Sequence, residues 1–295
     1  MNNFGEIGAN ALKNALLKNR TLQELDLSRN ALGFQSINSL ICACSTYGVT
    51  MKTFGNYVFE EILNSVTHGI AFLASIVGAF LLISTSLEHT TDDYHFWSCT
   101  LYSFALMFLF LSSTLFHSFF MLPATSSVLQ ILDHIGIYMV IAGSYTPILL
   151  ISLHHSNAAR VLCGGLWIAA VLGSAFAVVT DLNSKTSTIV ELSMFLGMGF
   201  GILFVWEEAL ANLEFKVLFL VGLGGAAYVV GIIFFILGEI KPIYHVVWHI
   251  FVIIAAAIHW FNIYYFVAPA ALPPSPTATV MNGTDFGADS GWLDN

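Results

Sequence analysis

Charge is scarce in this chain: 9% of its 295 residues are Asp, Glu, Lys or Arg. A soluble domain carries roughly a quarter, so this sequence could not clothe its own surface in water. Basic residues are scarcer still, nine against 18 acidic ones. With a net charge of −9 and a pI near 5.4 there is no basic footprint for nucleic acid. Cys42, Cys44, Cys99 and Cys163 include no CxxC pair and two of them sit in apolar runs, which argues against a disulfide framework and a thiolate metal site. Met1 is followed by polar residues and not by a charged-then-apolar leader, so no cleavable signal peptide is expected. The HExxH signature is missing, so soluble zinc-peptidase chemistry is not implied.

Apolar sequence is what abounds, with 57% hydrophobic residues and a mean hydropathy of +0.80. A membrane helix needs about 20 mostly apolar residues, and seven such runs fall at about 65–87, 96–121, 127–153, 160–180, 188–206, 216–238 and 242–267. Backbone groups must be paired inside lipid, and runs this long and unalternating are not barrel strands. The expected fold is an all-α membrane protein, a seven-transmembrane helix bundle over 58–267. Orientation follows from cationic loops, which tend to stay in the cytosol. Lys13, Lys18, Arg20, Arg29, Lys52, Lys185 and Lys241 lie on one side, Arg160 and Lys216 on the other. The N-terminus is therefore expected in the cytosol and the C-terminus outside. The tail, 268–295, carries Pro273, Pro274 and Pro276 and the sequon Asn282-Gly283-Thr284, which reads as a disordered segment.

Residues 1–50 differ in character. The run 8–33 resembles a single leucine-rich repeat, with Leu22, Leu25, Leu27, Asn30 and Leu32 at the repeat's apolar and asparagine positions. One repeat cannot bury its own apolar face, so a helix near 7–19 and a short extended piece are expected, appended to the bundle and not folded alone.

Ionisable groups inside membrane helices are costly and mark function by default. Ser113 and His117 close the second run, Asp133 and His134 open the third, and His245 and His249 open the seventh. Residues four apart share a helix face, so His245 and His249 point the same way and Ser113 lies one turn from His117. In an up-and-down bundle these three places share one side of the membrane. Neutral imidazole suits zinc, and three histidines with an open position form a catalytic arrangement. The residues point to Zn2+ held by His117, His245 and His249, with Asp133 on the metal-bound water and Ser113 a supporting hydrogen bonder. Each piece has a plainer reading: interfacial histidines at headgroup depth, and an aspartate serving as a helix cap. Glu60, Glu61, Asn64 and His68, with Glu191 and Glu239, read as solvated helix ends. His89, His95, His154 and His155 fall in outer loops, and His259 lies near the outer end of the last helix. The glycines of GLGGAAYVVG suit close helix packing.

The segments EEILNSVTHGIAF, SSTLFHS, LDHIGIYMVIAGSYTP and YHVVWHIFV resemble, in order and spacing, the signatures of the haemolysin III family and of the related progestin and adipoQ receptor (PAQR) family. The resemblance covers about 58–267. It implies seven helices, a cytosolic N-terminus and a zinc site near the cytosolic leaflet. The receptor branch's three zinc histidines fall on His117, His245 and His249, its water-engaging aspartate on Asp133 and its serine on Ser113. DHIGIY and AGSYTP look closer to the haemolysin III branch. Similarity to the wider superfamily that contains alkaline ceramidases suggests a zinc-dependent hydrolase of a lipid amide or ester, with membrane lipids as partners. A receptor-like protein with structural zinc and a cytolytic pore are the other readings. No loop resembles a selectivity filter.

Overall fold

The computed structural model describes residues 5–27, 34–52, 55–89 and 93–270. Among them seven helices are long and apolar enough to cross a membrane: Val58–Glu88, Asp93–Ser118, Thr125–Ser152, Asn157–Val179, Lys185–Asn212, Phe215–Gly238 and Ile243–Val267. Helical bonding satisfies the backbone of these spans, the break in the fifth excepted, as a lipid interior requires. Large apolar side chains such as Leu73, Phe80, Ile168, Val179 and Phe219 stand exposed on the outside, where acyl chains replace water. The protein is an integral multi-pass membrane protein of seven-helix form. The proposed tail, 268–295, lies outside the described residues from 271 on.

The helices of the bundle are α3 (Gly55–His89), α4 (Asp93–Ser118), α5 (Pro123–Pro147), α6 (Asn157–Val179), α7 (Lys185–Gly199), α8 (Trp206–Asn212), α9 (Phe215–Gly238) and α10 (Ile243–Asn262). Neighbours in sequence pack as neighbours in space from α3 to α6, α9 packs on α10, and α10 returns to α3. Short connections make this up-and-down order the natural one. α7 rests on α5 and α6 but does not pack along α9, which leaves a gap in the wall of the bundle.

Two residues set the α4–α5 spacing. A Cβ at Gly136 would come within 2.9 Å of the Leu109 Cα, and one at Gly143 within 2.8 Å of the Ala105 Cβ. Small residues at such a crossing let backbones approach closely, and this crossing sets the start of α5 beside the end of α4. Within GLGGAAYVVG, Gly224 faces His259 and Gly231 faces Trp248, the packing use the sequence suggests.

The fifth span departs from the single helix expected over 188–206. α7 stops at Gly199, a 3-10 turn covers Gly201–Val205, and α8 completes the crossing. Gly197, Gly199 and Gly201 weaken the helix here, and Tyr145 of α5 takes over its orphaned groups. The Tyr145 hydroxyl donates to the Gly199 carbonyl at 2.5 Å and accepts from the Ile202 N–H at 3.2 Å.

Before the bundle stand α1 (Gly5–Lys18), β1 (Glu24–Asp26), α2 (Phe34–Thr46) and β2 (Thr50–Lys52). The helix expected near 7–19 and the extended piece are α1 and β1; α2 and β2 are additional. The strands pair in parallel, Leu25 opposite Met51, and the helices cover them with Ala9, Leu16, Leu40 and Cys44. This small core is completed by Phe116 of α4, with Phe120 and Leu129 packed on it. A unit too small to bury its apolar face alone thus buries it against one end of the bundle. Asn30 and Leu32 of the repeat pattern lie outside the described residues.

Candidate metal centre

His117 sits in the last turn of α4, and His245 and His249 lie one turn apart at the start of α10. All three are buried. Their ring centroids stand 4.7 Å apart for His117 and His249, 4.9 Å for His245 and His249, and 5.5 Å for His117 and His245. One nitrogen from each lies within 4.8 Å of the others. A tetrahedral zinc with bonds of about 2.0–2.1 Å sets its ligands about 3.4 Å apart, so modest ring rotation would close this group on one ion. The chemistry of the site fits a cation: His249 Nδ1, Glu61 Oε1 and Asn64 Oδ1 are buried there without hydrogen-bond partners. Asp133 stands beside the group, its carboxylate hydrogen-bonded by the Ser113 hydroxyl, and both face the same cavity. The structure therefore brings together all five residues selected from the sequence.

Residues passed over in the sequence turn out to support them. Glu61, expected as a solvated helix end, is buried and accepts a hydrogen bond from His117 Nδ1 at 2.8 Å. That bond fixes the tautomer and turns Nε2 inward, the usual carboxylate support of a metal-binding histidine. His68, one face of α3 further along, stacks on His249 with centroids 3.8 Å apart. Glu191, also expected in headgroup solvent, is buried and accepts from His134 Nδ1 at 2.9 Å. The spacing of Glu61, Asn64 and His68, three and four apart on an apolar helix, was the available signal. His95 is likewise no loop residue: it lies in the first turn of α4, fully buried, with Nε2 2.8 Å from the Ala270 carbonyl oxygen.

The centre opens into a cavity of about 570 Å3 between α5, α7, α9 and α10. Its walls are mostly apolar, among them Ile137, Leu192, Phe195 and Val252. Phe200, Leu203 and Val229 line it and are also exposed on the bundle's surface, so the gap beside α9 gives the cavity a side opening.

The family described as haemolysin-III related matches residues 56–260. The chain belongs to the haemolysin III family. It is 35% identical to hemolysin-3 of Bacillus cereus over 222 residues, which is 75% of this chain and 98% of that protein. A hemolysin-3 homolog of Bacillus subtilis (strain 168) is 33% identical over 70% of this chain and 94% of its own length. The human monocyte to macrophage differentiation factor is 29% identical over 71% of this chain and 85% of its own. The family resemblance drawn from the motifs is thereby correct. Every residue of the centre falls inside the haemolysin III match, whereas α1, β1, α2 and β2 precede it.

Proposed function

We propose that this haemolysin III protein is a zinc-dependent membrane hydrolase of a lipid amide or ester, its N-terminus and metal centre on the cytosolic side. The observation that carries the reading is a buried trio of histidines, flanked by a serine-held aspartate, facing a mostly apolar cavity with a side opening. Such a cavity suits an acyl chain entering from the membrane. Zinc would polarise the scissile carbonyl and lower the pKa of its water toward about 7.

The chain's own residues do the rest. Ser113 orients the Asp133 carboxylate, which takes the proton of the attacking water and returns it to the leaving amine or alcohol as the C–N or C–O bond breaks. Glu61 keeps the His117 ring in place through Nδ1. The apolar walls exclude bulk water from the reacting carbonyl.

The test is metal analysis of purified protein and of His249→Ala, with lipid amidase and esterase assays on both. Zinc and hydrolysis lost together support the enzyme. Zinc lost where the native protein never hydrolyses any lipid would leave a receptor-like protein with structural zinc and overturn the proposal.

A further inference from the structure

The cavity has two boundaries of different character. One is the side opening at Phe200, Leu203 and Val229, which faces lipid. The other, at the metal end, is supplied in part by the N-terminal unit. Gln35, at the start of α2, lines the cavity, and its side-chain amide donates at 3.2 Å to the hydroxyl of Thr188 on α7, another lining residue. Phe116, which directly precedes His117, lines the cavity too and is buried in the core of the unit. α2 also packs on α5, where the Cys42 thiol meets the Ser127 hydroxyl. Contacts from one helix of the unit thus reach both α5 and α7, which flank the cavity here. The outer side of the unit suits water, with Lys18 and Arg20 exposed on it. The haemolysin III match begins at residue 56, so this piece of wall is an addition to the seven-helix core of the family.

We propose that the N-terminal unit is a cap over the aqueous entrance of the cavity. Charged solutes cannot use the side opening, because lipid bars them. Their way to the metal end runs past Gln35. Seated, the unit shuts them out and leaves the lipid side free; lifted, it admits them. A small unit held by a few side chains opens at far lower cost than the bundle beneath it, so the seat at Gln35, Cys42 and Phe116 decides how often the entrance is open. The cap covers the centre in the same way whether its metal is catalytic or structural.

Thiol labelling of the full-length protein in nanodiscs tests this without the metal. Leu192→Cys puts a reporter thiol on the cavity wall one turn of α7 beyond Thr188, and Thr186→Cys puts a reference thiol at an exposed position of the same helix. Modification of each by a charged methanethiosulfonate is followed by peptide mass spectrometry. The cavity reporter is expected to react at least about tenfold more slowly than the exposed one, as for an entrance open a minor part of the time. Gln35→Ala, which removes the bond to Thr188, is expected to speed the cavity reporter about fivefold. Ser127→Cys, oxidised with diamide to a disulfide with Cys42, pins the unit down. It is expected to slow the reporter about tenfold further, with recovery on reduction. An apolar maleimide, which enters from lipid, is expected to react at one rate in the pinned and the reduced protein. Ile137→Cys on α5, also on the cavity wall, is the reporter if Leu192→Cys does not fold. A cavity thiol that meets the charged reagent as fast as the exposed one, or at one rate pinned and released, overturns the cap. So does a pin that slows the apolar maleimide equally, since that marks a distorted cavity and not a closed entrance.

Discussion

Buried histidines stand at both ends of this bundle, and the two ends hold them differently. At the far end from the N-terminal unit three polar side chains tie their own helices to neighbouring backbone. His95 reaches the Ala270 carbonyl at 2.8 Å, Asn262 donates to the Val217 carbonyl at 3.2 Å, and Trp260 donates to the Gly78 carbonyl at 3.2 Å. His259 lies nearly parallel to the Tyr228 ring. These contacts join α4, α9, α10 and α3, and among the described residues no trio of metal-ligating side chains converges at this end. At the other end four imidazoles, those of His68, His117, His245 and His249, crowd together with Glu61 and Asp133 beside them. Burial alone therefore does not mark the site. Convergence of rings onto one volume, with carboxylates behind them, does.

The contrast breaks most sharply on the aspartate. Asp133→Asn keeps the histidines and the Ser113 neighbour but removes the proton acceptor, so zinc content is expected to stay while hydrolysis falls by about 10²–10⁴-fold. Equal turnover by the variant and the native protein would put the base elsewhere. Glu61→Gln is the next largest. It keeps the size of the side chain but weakens the hold on His117 Nδ1, and zinc affinity measured by competition with a chelator is expected to drop by about 10–100-fold. An unchanged affinity would leave Glu61 a buried packing partner of His117 with no part in holding the metal.

What the sequence revealed and concealed follows the same division. The spans were legible because an apolar run long enough to cross lipid admits one structure. The five site residues were legible because topology places the end of one helix beside the starts of two others. Glu61 and Glu191 were misread because a carboxylate near a helix start looks the same whether it meets water or a histidine from another helix. Only the fold supplies His117 and His134 as their partners. The break at Gly199 was hidden for a similar reason: the group that satisfies it, the Tyr145 hydroxyl, comes from α5. In the N-terminal unit, β2 was invisible to a reading that sought one repeat, since its partner strand lies 26 positions earlier.

A smaller effect is expected at the far end, and its smallness is the point. His95→Phe preserves bulk and removes the bond to Ala270, with the carbonyl left to find another donor. Stability against thermal or denaturant unfolding is expected to fall by about 1 kcal/mol, while zinc affinity stays at the native value. Loss of metal in this variant would mean that the two ends are coupled and would end their treatment as separate joints.

The ends also differ in what is seated on them, and the cysteines report it. The N-terminal unit lies on the metal end through Phe116, Phe120 and Leu129, with the Cys42 thiol within hydrogen-bond reach of Ser127 on α5. Burial raises the pKa of both Cys42 and Cys44 above the ordinary thiol value. Because the thiolate is the nucleophile, a raised pKa lowers the reactive fraction at pH 8, and alkylation is expected to be slow there and to climb as pH rises past the usual thiol range. Leu129→Ala removes part of the seat without touching a histidine. At about 1 kcal/mol for the lost apolar contact, Cys42 labelling is expected to quicken about fivefold with zinc content unchanged. Native Cys42 reacting as fast as a free thiol would show a unit that does not rest on the bundle, and Gln35 would then lose its place in the cavity wall.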